Sequence, residues 1–130
     1  MYNSTKSITK LCAISTKNPT YILLKTIAKC KKYYPDFTII IIDSDSDKFE
    51  TFKFVPPDIK IEYIKNKNWE LGAWFYAFNK YYSFDIYMFI QDSVTPIKFI
   101  NLDYDGIINS NKFIHFIIIL DYKMGDIYII

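Results

Sequence analysis

Apolar and polar positions fall into blocks along the chain that predict strands separated by helices. Residues 11–15 form a short apolar run, which predicts a buried strand. Pro19 and Thr20 follow it, and apolar residues then recur at helical spacing until Pro35, so a helix is predicted between the two prolines. Residues 37–42 are a continuous run rich in isoleucine, which is typical of a strand covered on both faces. The first third of the chain therefore predicts a strand–helix–strand unit.

The rest of the chain continues this alternation. Residues 48–57 predict a loop or a short helical turn, closed by two prolines. Residues 59–64 alternate apolar with charged positions, which predicts a strand with one exposed face. Residues 69–82 have the spacing of an amphipathic helix. Three further strands are predicted over residues 86–90, 113–120 and 127–130.

This order of elements predicts one α/β domain over residues 1–130, with a mostly parallel sheet and helices on both faces. Ligands of such sheets bind beyond the carboxyl ends of the strands. Polar clusters follow three of the predicted strands, at residues 15–18, 43–47 and 91–93. Since these strand ends meet at one edge of the sheet, the sequence predicts a single binding crevice there.

Composition and charge limit the kinds of molecule that this chain is expected to bind. The net charge is only +2 and the lysines are scattered, so binding to nucleic acid is not expected. The chain has no arginine, so phosphate would be held by lysine, backbone N–H groups or a metal. The apolar runs are far shorter than the about 20 residues that span a membrane, and a cytoplasmic location is expected. The bias toward Ile, Lys, Asn, Tyr and Phe is typical of AT-rich genomes, including those of some large DNA viruses.

Histidine and cysteine chemistry is not supported by the sequence. His115 is the only histidine and falls inside an apolar strand, so a structural role is expected for it. Cys12 and Cys30 belong to different predicted elements, and we expect two buried free thiols. A catalytic triad and a zinc site are therefore not predicted.

Two aspartates follow core strands directly and are candidate ligand contacts. Asp92 stands where a carboxylate can hold a divalent cation on a diphosphate, although a turn cap is the alternative. Asp43 can accept hydrogen bonds from a ribose or a base, although the Asp–Ser alternation of residues 43–47 also fits a solvated loop. This alternation is not an EF-hand, because the required glycine and distal glutamate are missing.

The start of the second helix is another candidate site. Gly72 is a small residue in the first turns, where it would let the backbone come close to a ligand. A helix N-terminus also favours a negative group such as a diphosphate. Glu70 either bonds a sugar hydroxyl or favours the positive helix end. Trp69 and Trp74 are expected to pack in the core, and stacking on a ligand is the alternative.

Residues 69–74 (WELGAW) and 91–93 (QDS) resemble motifs of glycosyltransferases with the GT-A fold, especially the rhamnan-synthesis F kind and related family 2-like enzymes. Those enzymes have an aromatic–acidic–aromatic–Gly–small–aromatic helix start and a strand that ends in Asn-Asp-Ser. The resemblance covers most of residues 10–97 and is dense over residues 66–96. It implies that this chain is a GT-A, Rossmann-like nucleotide-binding half.

The resemblance also implies an activity, which is transfer of a sugar from a nucleoside diphosphate sugar with Mn²⁺ or Mg²⁺. The family has Asn or Asp at the position of Gln91, so lower metal affinity is expected here. The residues implied for the metal are Asp92 and Ser93, and those implied for the nucleotide sugar are Thr16, Asp43, Glu70 and Gly72.

The resemblance ends near the point where the acceptor-binding half of such an enzyme begins. A fragment, a truncated product and a shorter protein that only binds are therefore all open, as is the acceptor glycan or protein. No catalytic residue is identified, although Asp103, Asp105 and Asp121 are nominal candidates for a base. One alternative is a non-catalytic nucleotide-sugar-binding module, or a degenerate enzyme that acts with a partner chain. The other is an interaction protein that forms homo-oligomers through the strand at residues 127–130.

Overall fold

The structure is a computed structural model that describes residues 7–96 and 105, together with the backbone of two later strands. His115 and Asp103 lie outside the described residues. The predicted order of helices and strands is confirmed. The elements are β1 (Lys10–Thr16), α1 (Tyr21–Tyr33), β2 (Thr38–Ser44), a 3-10 helix (Glu50–Phe54), β3 (Lys60–Ile64), α2 (Trp69–Lys80), β4 (Ile86–Gln91), β5 (Phe116–Asp121) and β6 (Asp126–Ile129).

The strands form one sheet in the order β3-β2-β1-β4-β5-β6. Every neighbouring pair is parallel except β5 and β6, so the prediction of a mostly parallel sheet is confirmed. The register pairs Thr16 with Asp43 and Ser15 with Gln91. The carboxyl ends of β1, β2 and β4 therefore meet at one edge, as the sequence predicts.

The two helices cover opposite faces of this sheet, which confirms that prediction. Helix α1 connects β1 to β2, whereas α2 connects β3 back across the sheet to β4. Crossovers between parallel strands are right-handed as a rule, and two such crossovers that run in opposite directions put their helices on opposite faces. Leu23 and Ile27 of α1 pack on one core cluster, and Ala73 and Ala77 of α2 pack on the other.

Local signals in the sequence explain where α1 begins and ends. The Thr20 hydroxyl accepts a hydrogen bond of 3.3 Å from the Ile22 N–H, which is an N-cap contact. At the other end the Tyr34 N–H donates to the Cys30 carbonyl at 2.8 Å, and Pro35 follows. The strand after the helix is buried on both faces, as its run of isoleucines predicts.

The two cysteines are free and buried, as predicted. Cys12 lies on β1 and Cys30 on α1, within the same core cluster. The contact with Cys30 and burial both raise the pKa of the Cys12 thiol, so it stays protonated and packs as a small apolar side chain. Among the described helices, none is long and apolar enough to cross a membrane.

Candidate functional site

The order of the strands reverses between β1 and β4, and such a reversal leaves a crevice beyond the carboxyl ends of the strands. A cavity of about 460 Å³ lies there, within the roughly 300–1,000 Å³ range of ligand pockets. The residues that line it are Ser15, Thr16, Lys17, Ser44, Asp45, Asn66, Lys67, Trp69, Glu70 and Asp92. They come from the carboxyl ends of β1, β2 and β4, the turn after β3 and the first turn of α2.

Asp92 is held in this cavity by contacts to its side chain and to both of its backbone polar groups. The Thr16 hydroxyl donates to Asp92 Oδ2 at 2.5 Å. The Asp92 N–H donates to the Ser15 carbonyl at 3.0 Å, and the Thr26 hydroxyl donates to the Asp92 carbonyl at 2.7 Å. Thr26 is a fully buried residue of α1. The Asp92 carboxylate is therefore held from β1 and its backbone from both β1 and α1.

The cavity brings two carboxylates close together. Burial raises the pKa of Asp92, the hydrogen bond from Thr16 lowers it, and the nearby charge of Glu70 raises it again. The net shift is upward, so both burial and Glu70 disfavour the charged form of Asp92. Lys17 and Lys67 also line the cavity. This combination of carboxylates and lysines suits a ligand that carries phosphate and a cation.

A divalent cation fits this donor set only together with its ligand. Among the described residues, no three His, Cys, Asp or Glu side chains cluster so as to hold a metal ion. Mg²⁺ on a nucleotide commonly takes one or two carboxylates, and phosphate oxygens and water fill the remaining positions. Asp92 and Glu70 provide two such carboxylates in one cavity.

Asn66 organises the wall of the cavity between β2 and α2. Its Nδ2 donates to the Ser44 hydroxyl at 3.0 Å and to the Trp69 carbonyl at 2.7 Å. Its Oδ1 accepts from the Asn68 N–H at 2.9 Å. A β-carbon added to Gly72 would lie 2.1 Å from this Oδ1. The glycine therefore makes room for Asn66, and Gly72 itself is not among the lining residues.

The two tryptophans of α2 have opposite environments. Trp74 is buried and stacks on Phe89 with ring centroids 5.8 Å apart, so the expected core role is confirmed for it. For Trp69 the expectation is wrong, because its side chain is 81% exposed. Its φ is 59°, in the left-handed region that costs a non-glycine residue about 1–2 kcal/mol. The Asn66 bond to its carbonyl braces this backbone.

Asp43 is one of the most buried polar residues, at 1% exposure. Its carboxylate accepts hydrogen bonds from the hydroxyl and the N–H of Ser46, the second at 3.3 Å. Burial raises the pKa of Asp43, and the contacts from Ser46 oppose that shift. The Ser46 hydroxyl in turn accepts from the Asn18 N–H at 2.6 Å. Asp43 therefore ties the loop after β2 to the loop after β1 and is not among the lining residues.

The structure thus gathers three of the six predicted site residues, Thr16, Glu70 and Asp92, around one cavity. Ser93 is exposed on the turn after β4, and its hydroxyl lies 3.5 Å from Gln91 Oε1. The ligand contacts predicted for Asp43, Gly72 and Ser93 stay predictions. Seven other residues line the cavity, and no individual ligand contact is predicted for them from the sequence. Ser15, Lys17, Ser44 and Asp45 belong to the two polar clusters that the sequence places at the crevice. Asn66, Lys67 and Trp69 belong to the turn and helix start that form the other candidate site.

A scan against models of known protein families and a search of the curated proteins each gave no match to this chain.

Proposed function

We propose that this cavity binds a nucleoside diphosphate sugar together with Mn²⁺ or Mg²⁺, and that the chain is the donor-binding domain of a glycosyltransferase. The observation that carries the proposal is Asp92, which is held by Thr16, Ser15 and Thr26 and faces the charge of Glu70 at the strand-order reversal. A held Asp92 carboxylate, with Glu70 and two lysines in the same cavity lining, is suited to a metal-bound diphosphate.

Each residue has a distinct part in this proposal. Asp92 and Glu70 hold the cation, and Thr16 keeps the Asp92 carboxylate turned toward the cavity. Lys17 and Lys67 contact the phosphate oxygens as point charges, since arginine is absent from the chain. When bound, the cation would neutralise charge on the leaving diphosphate, which is where stabilisation helps transfer most.

A module that binds the nucleotide sugar without transferring it is the second candidate. Among the described lining residues the carboxylates are Asp45, Glu70 and Asp92. If Glu70 and Asp92 take the cation, Asp45 alone is left there to act as a base. Such a module would work with a partner chain that supplies the remaining catalytic groups.

The first experiment measures binding by calorimetry with UDP and GDP, with MnCl₂ or with EDTA. The wild type is expected to bind one of them in a manganese-dependent way. Asp92→Ala should weaken that binding by more than about tenfold, which corresponds to about 1.4 kcal/mol. Asp36→Ala is the matched control, because Asp36 is an exposed carboxylate outside the cavity lining. Binding that is unchanged in Asp92→Ala would contradict the assigned role.

The second experiment separates transfer from binding alone. The protein is incubated with UDP- and GDP-sugars and Mn²⁺, and release of the nucleoside diphosphate is followed. Release that is lost in Asp92→Ala supports the enzyme. Tight binding without release supports the module, and absence of both in the wild type rejects both candidates.

Two further expectations go with this proposal and are tested separately. A cytoplasmic location is checked by fractionation of the source cells. Self-association through β6 is checked by sedimentation at rising concentration, since β6 is the last strand of the sheet. A protein that stays monomeric at all concentrations and binds UDP would count against a function in self-association.

A further inference from the structure

Trp69 is the apolar exception in the lining of the cavity. Among the described lining residues all the others are polar or charged, whereas the Trp69 indole is 81% exposed to solvent. A nucleoside diphosphate sugar has a similar composition, with one flat aromatic base joined to a ribose, a diphosphate and a hydroxylated sugar. The single aromatic side chain of the lining therefore matches the single aromatic base of the ligand.

The backbone of Trp69 has an unfavourable conformation, and a neighbouring residue holds it there. Trp69 has φ 59°, a conformation that bulky residues rarely adopt and that clusters at ligand sites. Asn66 holds it there by a 2.7 Å hydrogen bond to the Trp69 carbonyl and is itself tied to Ser44 of β2 at 3.0 Å. The indole is thus kept out of the core that Trp74, five residues later, joins.

We propose that Trp69 stacks on the nucleobase of the ligand and so makes the site select nucleotides over simpler phosphates. This inference rests on the proposed function, because it assigns a part of the same ligand. Stacking on an aromatic side chain tolerates every base, since each base has a π-face. The contact would therefore strengthen binding without choosing between uracil and guanine.

The test compares wild type, Trp69→Ala and Trp69→Tyr in calorimetric titrations with Mn²⁺ and three probes, UDP or GDP, inorganic pyrophosphate, and glucose 1-phosphate. Trp69→Ala should weaken nucleoside diphosphate binding roughly five- to a hundredfold and leave pyrophosphate binding unchanged. Trp69→Tyr should restore most of the affinity because it keeps a ring. Tyr82→Ala is the matched control, because Tyr82 is 78% exposed and lies outside the cavity lining.

A fluorescence titration gives an independent readout. Only Trp69 of the two tryptophans is exposed, so a stacked base should quench the solvent-exposed emission in wild type, and Trp69→Ala should lack this change.

Equal nucleotide affinity in wild type and Trp69→Ala would overturn the stacking role and leave the proposed function intact. An equal loss for pyrophosphate would overturn it as well, because the variant would then have disturbed the whole cavity. A selective loss for glucose 1-phosphate would overturn it in favour of a ring that packs on the sugar. If the wild type binds none of the probes, the proposed function itself fails.

Discussion

The side-chain amide of Asn66 occupies the space that a β-carbon on residue 72 would need, with Oδ1 only 2.1 Å from that position. The glycine in the first turns of α2 therefore allows the turn after β3 to close on the helix. Through this contact Asn66 reaches both Ser44 and the Trp69 carbonyl. The absence of a β-carbon at Gly72 thus allows Asn66 to form this wall of the cavity.

Gly72→Ala should destabilise the protein by about 1–3 kcal/mol in urea unfolding, because the added methyl group displaces Asn66 and its three hydrogen bonds. The double variant with Asn66→Ala should lose less than the sum of the two single losses, since the clashing amide is gone. A Gly72→Ala protein that gains the usual stability of alanine in a helix, about 1 kcal/mol, would contradict the close contact.

Asp92→Asn should keep or raise the stability at pH 7, by up to about 1 kcal/mol, while it weakens manganese-dependent nucleotide binding. The pKa of Asp92 is raised, so the folded state disfavours its charge at neutral pH, and the amide removes that charge. The amide oxygen can still accept from Thr16. Urea unfolding and calorimetry measure the two effects, with Asp36→Asn as the control. A clear loss of stability would argue for a structural role of the carboxylate.

Thr26→Val should destabilise the protein by about 1–3 kcal/mol, because the Asp92 carbonyl loses the buried hydroxyl that donates to it at 2.7 Å. The same variant should weaken nucleotide binding, since Asp92 is then held from β1 alone. Thr38→Val, an exposed substitution on β2, is the control for both measurements. Unchanged binding in Thr26→Val would remove the positioning role.

Glu62 should make stability depend on pH in the acid range. Burial alone would raise its pKa, but hydrogen bonds from Lys80, Tyr81 and Lys60 outweigh burial and lower the pKa from 4.5 to about 2. A lowered pKa stabilises the fold above pH 4.5, and this contribution, about 1–2 kcal/mol because solvent screens the partly exposed lysines, is lost as the pH falls toward 2.

Glu62→Gln tests this by urea unfolding between pH 7 and pH 2. The variant should be less stable than wild type at pH 7 by about 1–2 kcal/mol, and the difference should shrink as the pH approaches 2. Glu50→Gln is the control, because Glu50 is exposed on the 3-10 helix. A difference that stays constant with pH would show that lost packing, and not charge, explains the effect.

Trp69→Asn should raise the free energy of unfolding by up to about 1 kcal/mol, because asparagine tolerates a φ of 59° better than tryptophan does. Phe75→Asn is the control on the same helix, since Phe75 is also exposed and does not have a positive φ. That variant should change the free energy of unfolding little, because phenylalanine and asparagine have similar helix propensities. A loss of stability in Trp69→Asn would mean that the indole packs on its neighbours.

Local pattern in the sequence was sufficient for the elements and their order. The isoleucine run of β2 and the prolines that flank α1 act within a few residues, and the alternation of strands with helices then limits the topology to a mostly parallel sheet. The prediction that Asp92 stands at a strand end in a crevice came from the same reasoning. Residue 16 was selected through the motif resemblance, and it does line the cavity.

Contacts between distant segments were decided only by the tertiary structure. The alternation over residues 59–64 predicts an exposed charged face, yet Glu62 is 7% exposed because α2 lies over it and supplies Lys80 and the hydroxyls of Tyr76 and Tyr81. Helical periodicity likewise gave Trp69 and Trp74 the same core role, since it assumes helical φ at both.

Asp43 and Asp92 each follow an apolar run, so the sequence pattern predicts equivalent positions for them, whereas Asp43 lies inside β2 and Asp92 directly after β4. The fold turns Asp43 onto Ser46 and gives Asp92 the hydroxyl of Thr16, a residue 76 positions away. The periodic pattern of apolar residues predicts which positions are buried, because burial repeats along a helix or strand with the geometry of that element. It does not predict which distant side chain completes a hydrogen bond. Such contacts between distant residues shape the cavity.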